Sequence, residues 1–165
     1  MSDKKNESLL WQKVKKGLTD CFLTRIESST INGIPDIHGV HKKGVFWIEL
    51  KSDNFKYPKL NKWQIVWINR YIKAGGVVFI LHENLDKTLS QRRIKLYKPV
   101  SVFTDPRSLV PVASFSFTGQ WPRIQEEIVS LLRKDAGAAG SRSRSRLTPN
   151  NEADDTAQEA SGPAA

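Results

Sequence analysis

Apolar positions recur with two periods along the first 135 residues. Leu10, Val14 and Leu18 recur every four residues and predict a helix over residues 7 to 18, with Asn6 as its N-cap. Cys21 to Ile26 reads as a strand, and the polar stretch ESSTIN (27–32) connects it to Gly33. Residues 33 to 51, GIPDIHGVHKKGVFWIELK, read as a hairpin. Val45 to Leu50 is rich in β-branched and aromatic residues, Pro35 can begin a strand but not sit centrally in one, and His41-Lys42-Lys43-Gly44 is a polar loop. Leu60, Trp67, Ile68, Tyr71 and Ile72 form the stripe of a second helix, Lys62 to Ala74, which Gly75-Gly76 closes. The apolar run Val77 to Leu81 suits a central buried strand. Further strands are expected over Ile94 to Lys98 and Val110 to Phe117. A closing helix, Trp121 to Lys134, carries Pro122 in its first turn. The predicted class is α/β, with an αβββαβ core. Its sheet is mixed, because the hairpin is antiparallel while the strand at 77 follows a crossover helix.

The hairpin also gathers charge. If Val40 lies opposite Val45, Asp36 falls opposite Glu49, with Cβ atoms about 4.5–5.5 Å apart. Lys51 shares their face by the period of two, while Ile37, Phe46, Ile48 and Leu50 take the other, apolar face. Two carboxylates this close repel unless a positive charge lies between them. Hard oxygen donors on adjacent strands suit Mg²⁺, with Mn²⁺ as the alternative. Such an ion polarises a phosphodiester oxygen and lowers the pKa of a bound water, and a neighbouring ammonium stabilises developing charge. The chemistry this set suits is phosphodiester hydrolysis. An ordinary solvated hairpin would carry the same residue types without the clustering on one face.

Pro35-Asp36 and Glu49-Leu50-Lys51, 13 residues apart, resemble the signature of the PD-(D/E)XK nucleases. The ordered set GIPD, WIELK, Gln64, AGG and VVFIL is similar to the VRR-NUC group and to the archaeal Holliday-junction resolvases, over roughly residues 7 to 82. The resemblance implies a restriction-endonuclease-like fold and a metal held by Asp36 and Glu49, with Lys51 orienting or activating water. It also implies that a first-helix glutamate, here Glu7, points toward the metal, and that Gln64 sits beside the metal and the scissile phosphate. Each has a structural alternative. Glu7 complements a helix dipole, and Gln64 is the N3 partner of Asn61 in a capping box. His38, opposite Trp47, is expected to pack under the second helix.

Charge narrows the partner. Through Asp135 the chain holds 23 Lys and Arg against 13 Asp and Glu; the remaining residues hold three against four, so the folded part carries the whole basic excess. A basic domain favours a polyanion. Lys56, Lys59 and Lys62, interleaved with Phe55 and Tyr57, suit a nucleic-acid backbone and exposed bases. Arg25, Ser28 and Ser29 precede the hairpin and could bind phosphate, although a Ser/Thr/Asn cluster is more often an ordinary turn.

Cys21 alone excludes a disulfide framework and a cysteine-based zinc site, and His38, His41 and His82 lack metal-ligand spacing. No run is long enough to span a membrane and no signal-peptide core is present. The expected location is therefore intracellular: cytoplasmic, or the host cytoplasm for a viral protein. From Ala136 to Ala165 the composition turns to Ala, Gly, Ser, Pro and acids. This tail is expected to be disordered, with SRSRSR (141–146) as either a basic contact or a linker. Residues 1–135 are then a single domain.

The expectation is a Mg²⁺-dependent endonuclease acting on branched or replication- and repair-associated DNA. A homodimer is implied if both strands of a junction are cut symmetrically, although no dimer seam is evident. A non-catalytic nucleic-acid-binding module with a nuclease-like fold and an RNA-processing nuclease are the alternatives.

Overall fold

A computed structural model describes residues 3–28, 30–86, 88 and 92–140. In chain order the elements are α1 (Asp3–Gly17), β1 (Phe22–Arg25), β2 (Ile37–His41), β3 (Gly44–Asp53), α2 (Lys62–Lys73), β4 (Val78–Asn84), β5 (Arg93–Tyr97), a 3₁₀ turn (Pro106–Ser108), β6 (Ala113–Ser116) and α3 (Trp121–Gly140). The first six are the expected αβββαβ core.

The six strands form one mixed sheet in the order β1-β2-β3-β4-β5-β6. The β2–β3 hairpin has the register inferred from its loop, with Val40 opposite Val45 and Ile37 opposite Ile48. Lys42 and Lys43 alone form the turn, since His41 already pairs with Gly44. β3 and β4 are parallel and all other neighbours antiparallel, as the crossover through α2 requires.

Side-chain alternation divides the core into two layers. On one face Ile37, Phe46, Ile48, Leu50, Phe79 and Leu81 pack against Leu10, Val14 and Leu18 of α1 and Ile124, Ile128 and Leu131 of α3. On the other, Val78, Ile80 and Tyr97 pack against Ile68 of α2, flanked by Trp47, Trp67 and Tyr71. Each fully buried aliphatic side chain contributes about 1.5–3 kcal/mol. His38 joins the second layer, its ring 4.9 Å from that of Trp47, as its position opposite that residue leads one to expect.

The ends of α2 follow from local chemistry. Asn61 Oδ1 accepts the N–H groups of Trp63 and Gln64, and Gln64 Oε1 accepts that of Asn61, completing a capping box. At the other end Gly75, at φ +88°, lets Gly76 N–H reach the Tyr71 carbonyl and Gly75 N–H reach that of Ile72, a Schellman closure.

Several boundaries differ from expectation. α1 begins at Asp3, so Asn6 lies inside the helix and is not its cap. β4 starts one residue later and runs three residues beyond Leu81, through His82 and Glu83, because buried partners satisfy those polar side chains. β6 is shorter than predicted, since Pro111 has no N–H for a ladder and Val110 and Val112 are exposed. The backbone of α3 continues to Gly140; residues 141–165, including SRSRSR, lie outside the described residues.

Candidate active site

The antiparallel ladder of β2 stops at Ile37, leaving Asp36 just beyond it and opposite Glu49. Pro35 brings no N–H, and instead the Asp36 side chain completes the local bonding: its Oδ2 accepts the Leu50 N–H at 2.7 Å. Glu49 projects from the middle of β3, 1% exposed. Lys51 Nζ lies 2.9 Å from Glu49 Oε1 and 3.4 Å from Glu7 Oε1, so α1 and β3 meet at this ammonium. Gln64 reaches in from the first turn of α2 and donates its side-chain amide to Glu49 Oε1. Five side chains from α1, the β2 approach, β3 and α2 therefore converge. They are the five singled out from the sequence.

Gly33 permits the α2 approach. At φ +82° it lies against the start of that helix, where a Cβ would stand 2.2 Å from the Trp63 carbonyl oxygen and 2.7 Å from the Gln64 nitrogen. The glycine of GIPD thus fits the segment carrying Asp36 against the turn carrying Gln64.

The electrostatics are unbalanced. Asp36, Glu49 and Glu7 supply three carboxyls around one ammonium. Burial, then the neighbouring Asp36, pushes the Glu49 pKa up to about 8, against the attraction of Lys51. Burial likewise raises Asp36, opposed by the Leu50 N–H bond and the charges of Lys51 and Arg25. For Lys51 burial works against the ammonium, but Glu49 and Glu7 outweigh it and hold its pKa above the ordinary lysine value. The group carries excess negative charge whenever all three acids are ionised.

The donor set fits a hard divalent cation. Glu49 Oε2 is buried with no hydrogen-bond partner, while Oε1 is taken by Lys51 and Gln64. Among the described residues no three His, Cys, Asp or Glu side chains close around a common point. Mg²⁺ nonetheless commonly uses one or two protein carboxylates and retains several waters, which the Asp36–Glu49 pair allows.

Of the remaining candidates, Arg25 adjoins this centre. Arg25 is near enough to Asp36 to lower its pKa, and it bonds Ser8 Oγ at 3.3 Å and Glu27 at 3.4 Å. Ser28 Oγ accepts the Ile31 N–H, a turn-forming bond; Ser29 lies outside the described residues. Lys56, Lys59 and Lys62 each stand over an aromatic ring, of Tyr57, Phe55 and Trp63 respectively.

Two polar groups escaped the sequence reading. His82, paired with Lys51 across the parallel ladder, meets Asp53 Oδ1 at 2.9 Å. On the opposite face Glu83 receives the Ser52 hydroxyl at 2.6 Å and the Lys13 ammonium, which ties α1 to the sheet. The period of two along β3 sets Asp53 on the face of Glu49 and Lys51, but no spacing rule points to its partner on β4.

No family model matches the chain, and no curated protein matches it. Among solved structures the fold is similar to Archaeoglobus fulgidus Hjc, a Holliday junction resolvase from an archaeal hyperthermophile. The sequences are 13% identical, the match spans 81% of this chain and 98% of that one, and the TM-score is 0.43. Among the described residues no helix is long and apolar enough to cross a membrane.

Proposed function

We propose that this chain is a metal-dependent endonuclease that hydrolyses phosphodiester bonds in DNA, on branched or replication- and repair-associated substrates. One observation carries the reading. A buried carboxylate, Glu49, is engaged on one oxygen by Lys51 and Gln64 and leaves the other without a partner, beside a second carboxyl, Asp36.

Asp36 and Glu49 would hold a divalent cation, Mg²⁺ or Mn²⁺, which when bound supplies charge stabilisation at the scissile phosphate and activation of water. Lys51 keeps its proton, directs it at the phosphate and orients the attacking water. Gln64 fixes the Glu49 carboxylate, and Glu7 holds the ammonium from the side of α1. Arg25, Ser29, Lys56, Lys59 and Lys62 contact the DNA backbone, each phosphate contact adding a salt-dependent increment of affinity. Residues 1–135 act as the nuclease domain with the rest as a tail, the protein works inside the cell, and a homodimer would serve symmetric cutting.

The test is cleavage of labelled four-way junction, Y-shaped, linear duplex and single-stranded DNA with Mg²⁺ or with EDTA, beside Lys51→Ala. Metal-dependent cutting that is lost in the variant while binding persists is the expected result. Wild-type binding without cutting on every substrate would leave a nucleic-acid-binding module in place of the enzyme.

A further inference from the structure

The loop 54–61 joins the two halves of the candidate site, leaving β3 three residues after Lys51 and entering α2 three residues before Gln64. Its backbone is fastened from both sides. Phe55 N–H donates to Asp53 Oδ1 at 2.9 Å, the Asn84 amide donates to the Phe55 carbonyl at 2.8 Å, and the Lys95 ammonium reaches the Lys56 carbonyl at 3.3 Å. Along this anchored loop Phe55 is 50% exposed and Lys56 and Lys59 are exposed, whereas Tyr57 and Leu60 are partly buried and Pro58 is buried. They line a cavity of about 490 Å³ whose apolar surfaces include Phe55, Tyr57 and Leu60 and whose cations are Lys56, Lys59 and Arg107. None of the lining side chains is acidic. Lys59 Nζ stands 5.3 Å from the centre of the Phe55 ring, Lys56 Nζ 5.3 Å from that of Tyr57, and Arg107 is held in place by Asp105 at 2.8 Å.

A loop that only gripped phosphates would need the lysines alone. A half-exposed Phe55 ring beside the partly buried Tyr57 on a pinned backbone, with ammonium groups at the ring faces, matches a ligand that is flat, aromatic and anionic at its edge. A nucleotide has that chemistry, but in a duplex its faces are occupied by neighbouring bases. We propose that the cavity around Phe55 receives an unpaired nucleotide next to the scissile bond, so that the preferred DNA carries single-stranded character beside the cut. An incoming base stacks on Phe55, and Lys56 and Lys59 turn from the rings to the flanking phosphates. The inference rests on the reading of DNA as the substrate and adds to it the structural class of that DNA.

The experiment measures binding by the full chain in EDTA, which separates it from cleavage. Fluorescence anisotropy compares a blunt duplex with the same duplex bearing a single-stranded tail that contains 2-aminopurine. The wild type is expected to bind the tailed DNA about tenfold more tightly and to change the 2-aminopurine emission, the gain of one stacked base. Phe55→Ala and Phe55→Leu should lose most of that preference and the emission change, while Phe55→Trp keeps both. Equal losses on the two DNAs, or a tail preference that survives Phe55→Ala, would overturn the inference. A tail preference in a protein that never cuts sinks the nuclease reading alone. Cutting by a protein whose tail preference ignores Phe55 sinks this inference alone.

Discussion

Gln64 donates its side-chain amide to the oxygen of Glu49 that Lys51 also touches, and its own carbonyl oxygen caps α2 through the Asn61 N–H at 3.0 Å. One side chain therefore serves a helix terminus and a buried carboxylate, and two substitutions separate these uses. Gln64→Glu keeps an oxygen for the cap but places a carboxylate against Glu49. It should keep the cap, raise the Glu49 pKa further through the like charge and lower cleavage at least ~10-fold. Gln64→Ala should lose both, with a stability cost of about 0.5–1.5 kcal/mol. Denaturant midpoints beside cleavage rates decide it, and a Gln64→Glu protein that cuts at the wild-type rate would confine Gln64 to capping.

The pKa of Glu49 dictates a pH dependence that a bound cation reverses. Raised from an ordinary 4.5 to about 8, chiefly by burial, Glu49 in the folded chain holds a proton that the unfolded chain has released over that interval. Without divalent metal, the contribution of Glu49 to stability is therefore fully present below pH 4.5 and is lost as pH rises toward 8, where the folded state also ionises and the decline ends. At the proposed cation site Mg²⁺ would compete with that proton, so the rise in melting temperature on adding Mg²⁺ should be larger at pH 8 than at pH 6. Glu49→Gln should flatten the metal-free decline and abolish the Mg²⁺ effect. A Glu49→Gln curve with the wild-type pH slope would place the titration elsewhere.

The site was legible because a hairpin converts spacing into position. Once Val40 faced Val45, the period of two set Asp36, Glu49 and Lys51 on one face with no tertiary information, and the observed register is that one. Gln64 was legible through the cap it forms, as an Asn-x-x-Gln pattern before an amphipathic stripe. Glu7 was placed on the correct side of α1 although the helix begins four residues earlier than its N-cap reading required. What the pattern hid were polar groups whose burial depends on a partner far along the chain. His82 and Glu83 follow the apolar run Val77 to Leu81, yet both are buried, satisfied by Asp53, Ser52 and Lys13. Pairings between residues separated by 29 to 70 positions leave no local periodicity.

Gly33 tests whether the site depends on backbone fit as well as on its titrating groups. Its φ of +82° is strained for any residue with a Cβ, and that Cβ would lie 2.2 Å from the Trp63 carbonyl oxygen. Gly33→Ala should cost on the order of 1–3 kcal/mol and push the first turn of α2 away from Glu49. Cleavage measured well below the variant's melting temperature should fall by at least ~10-fold, since a displacement near 1 Å is costly to a positioned group. Full activity in a destabilised Gly33→Ala protein would show that Gln64 needs no such seating.

Asp53 connects the buried His82 on β4 to the aromatic loop. Its Oδ1 accepts both the Phe55 N–H at 2.9 Å and His82 Nε2 at 2.9 Å. His82 is fully buried and its Nδ1 has no partner, so the ring proton belongs on Nε2, where Asp53 can accept it. Asp53→Ala would strand that N–H and free the Phe55 amide at once, at a cost of about 2–4 kcal/mol; Asp53→Asn keeps an acceptor oxygen and should cost less. The functional loss should be selective, because Asp36, Glu49 and Lys51 do not depend on Asp53 for any bond described here. Hydrogen exchange of the amides in 54–61 should accelerate, and affinity for tailed DNA should fall, while the stabilisation by Mg²⁺ persists. If Asp53→Ala abolishes the Mg²⁺ effect and leaves loop exchange unchanged, Asp53 supports the cation site and not the loop.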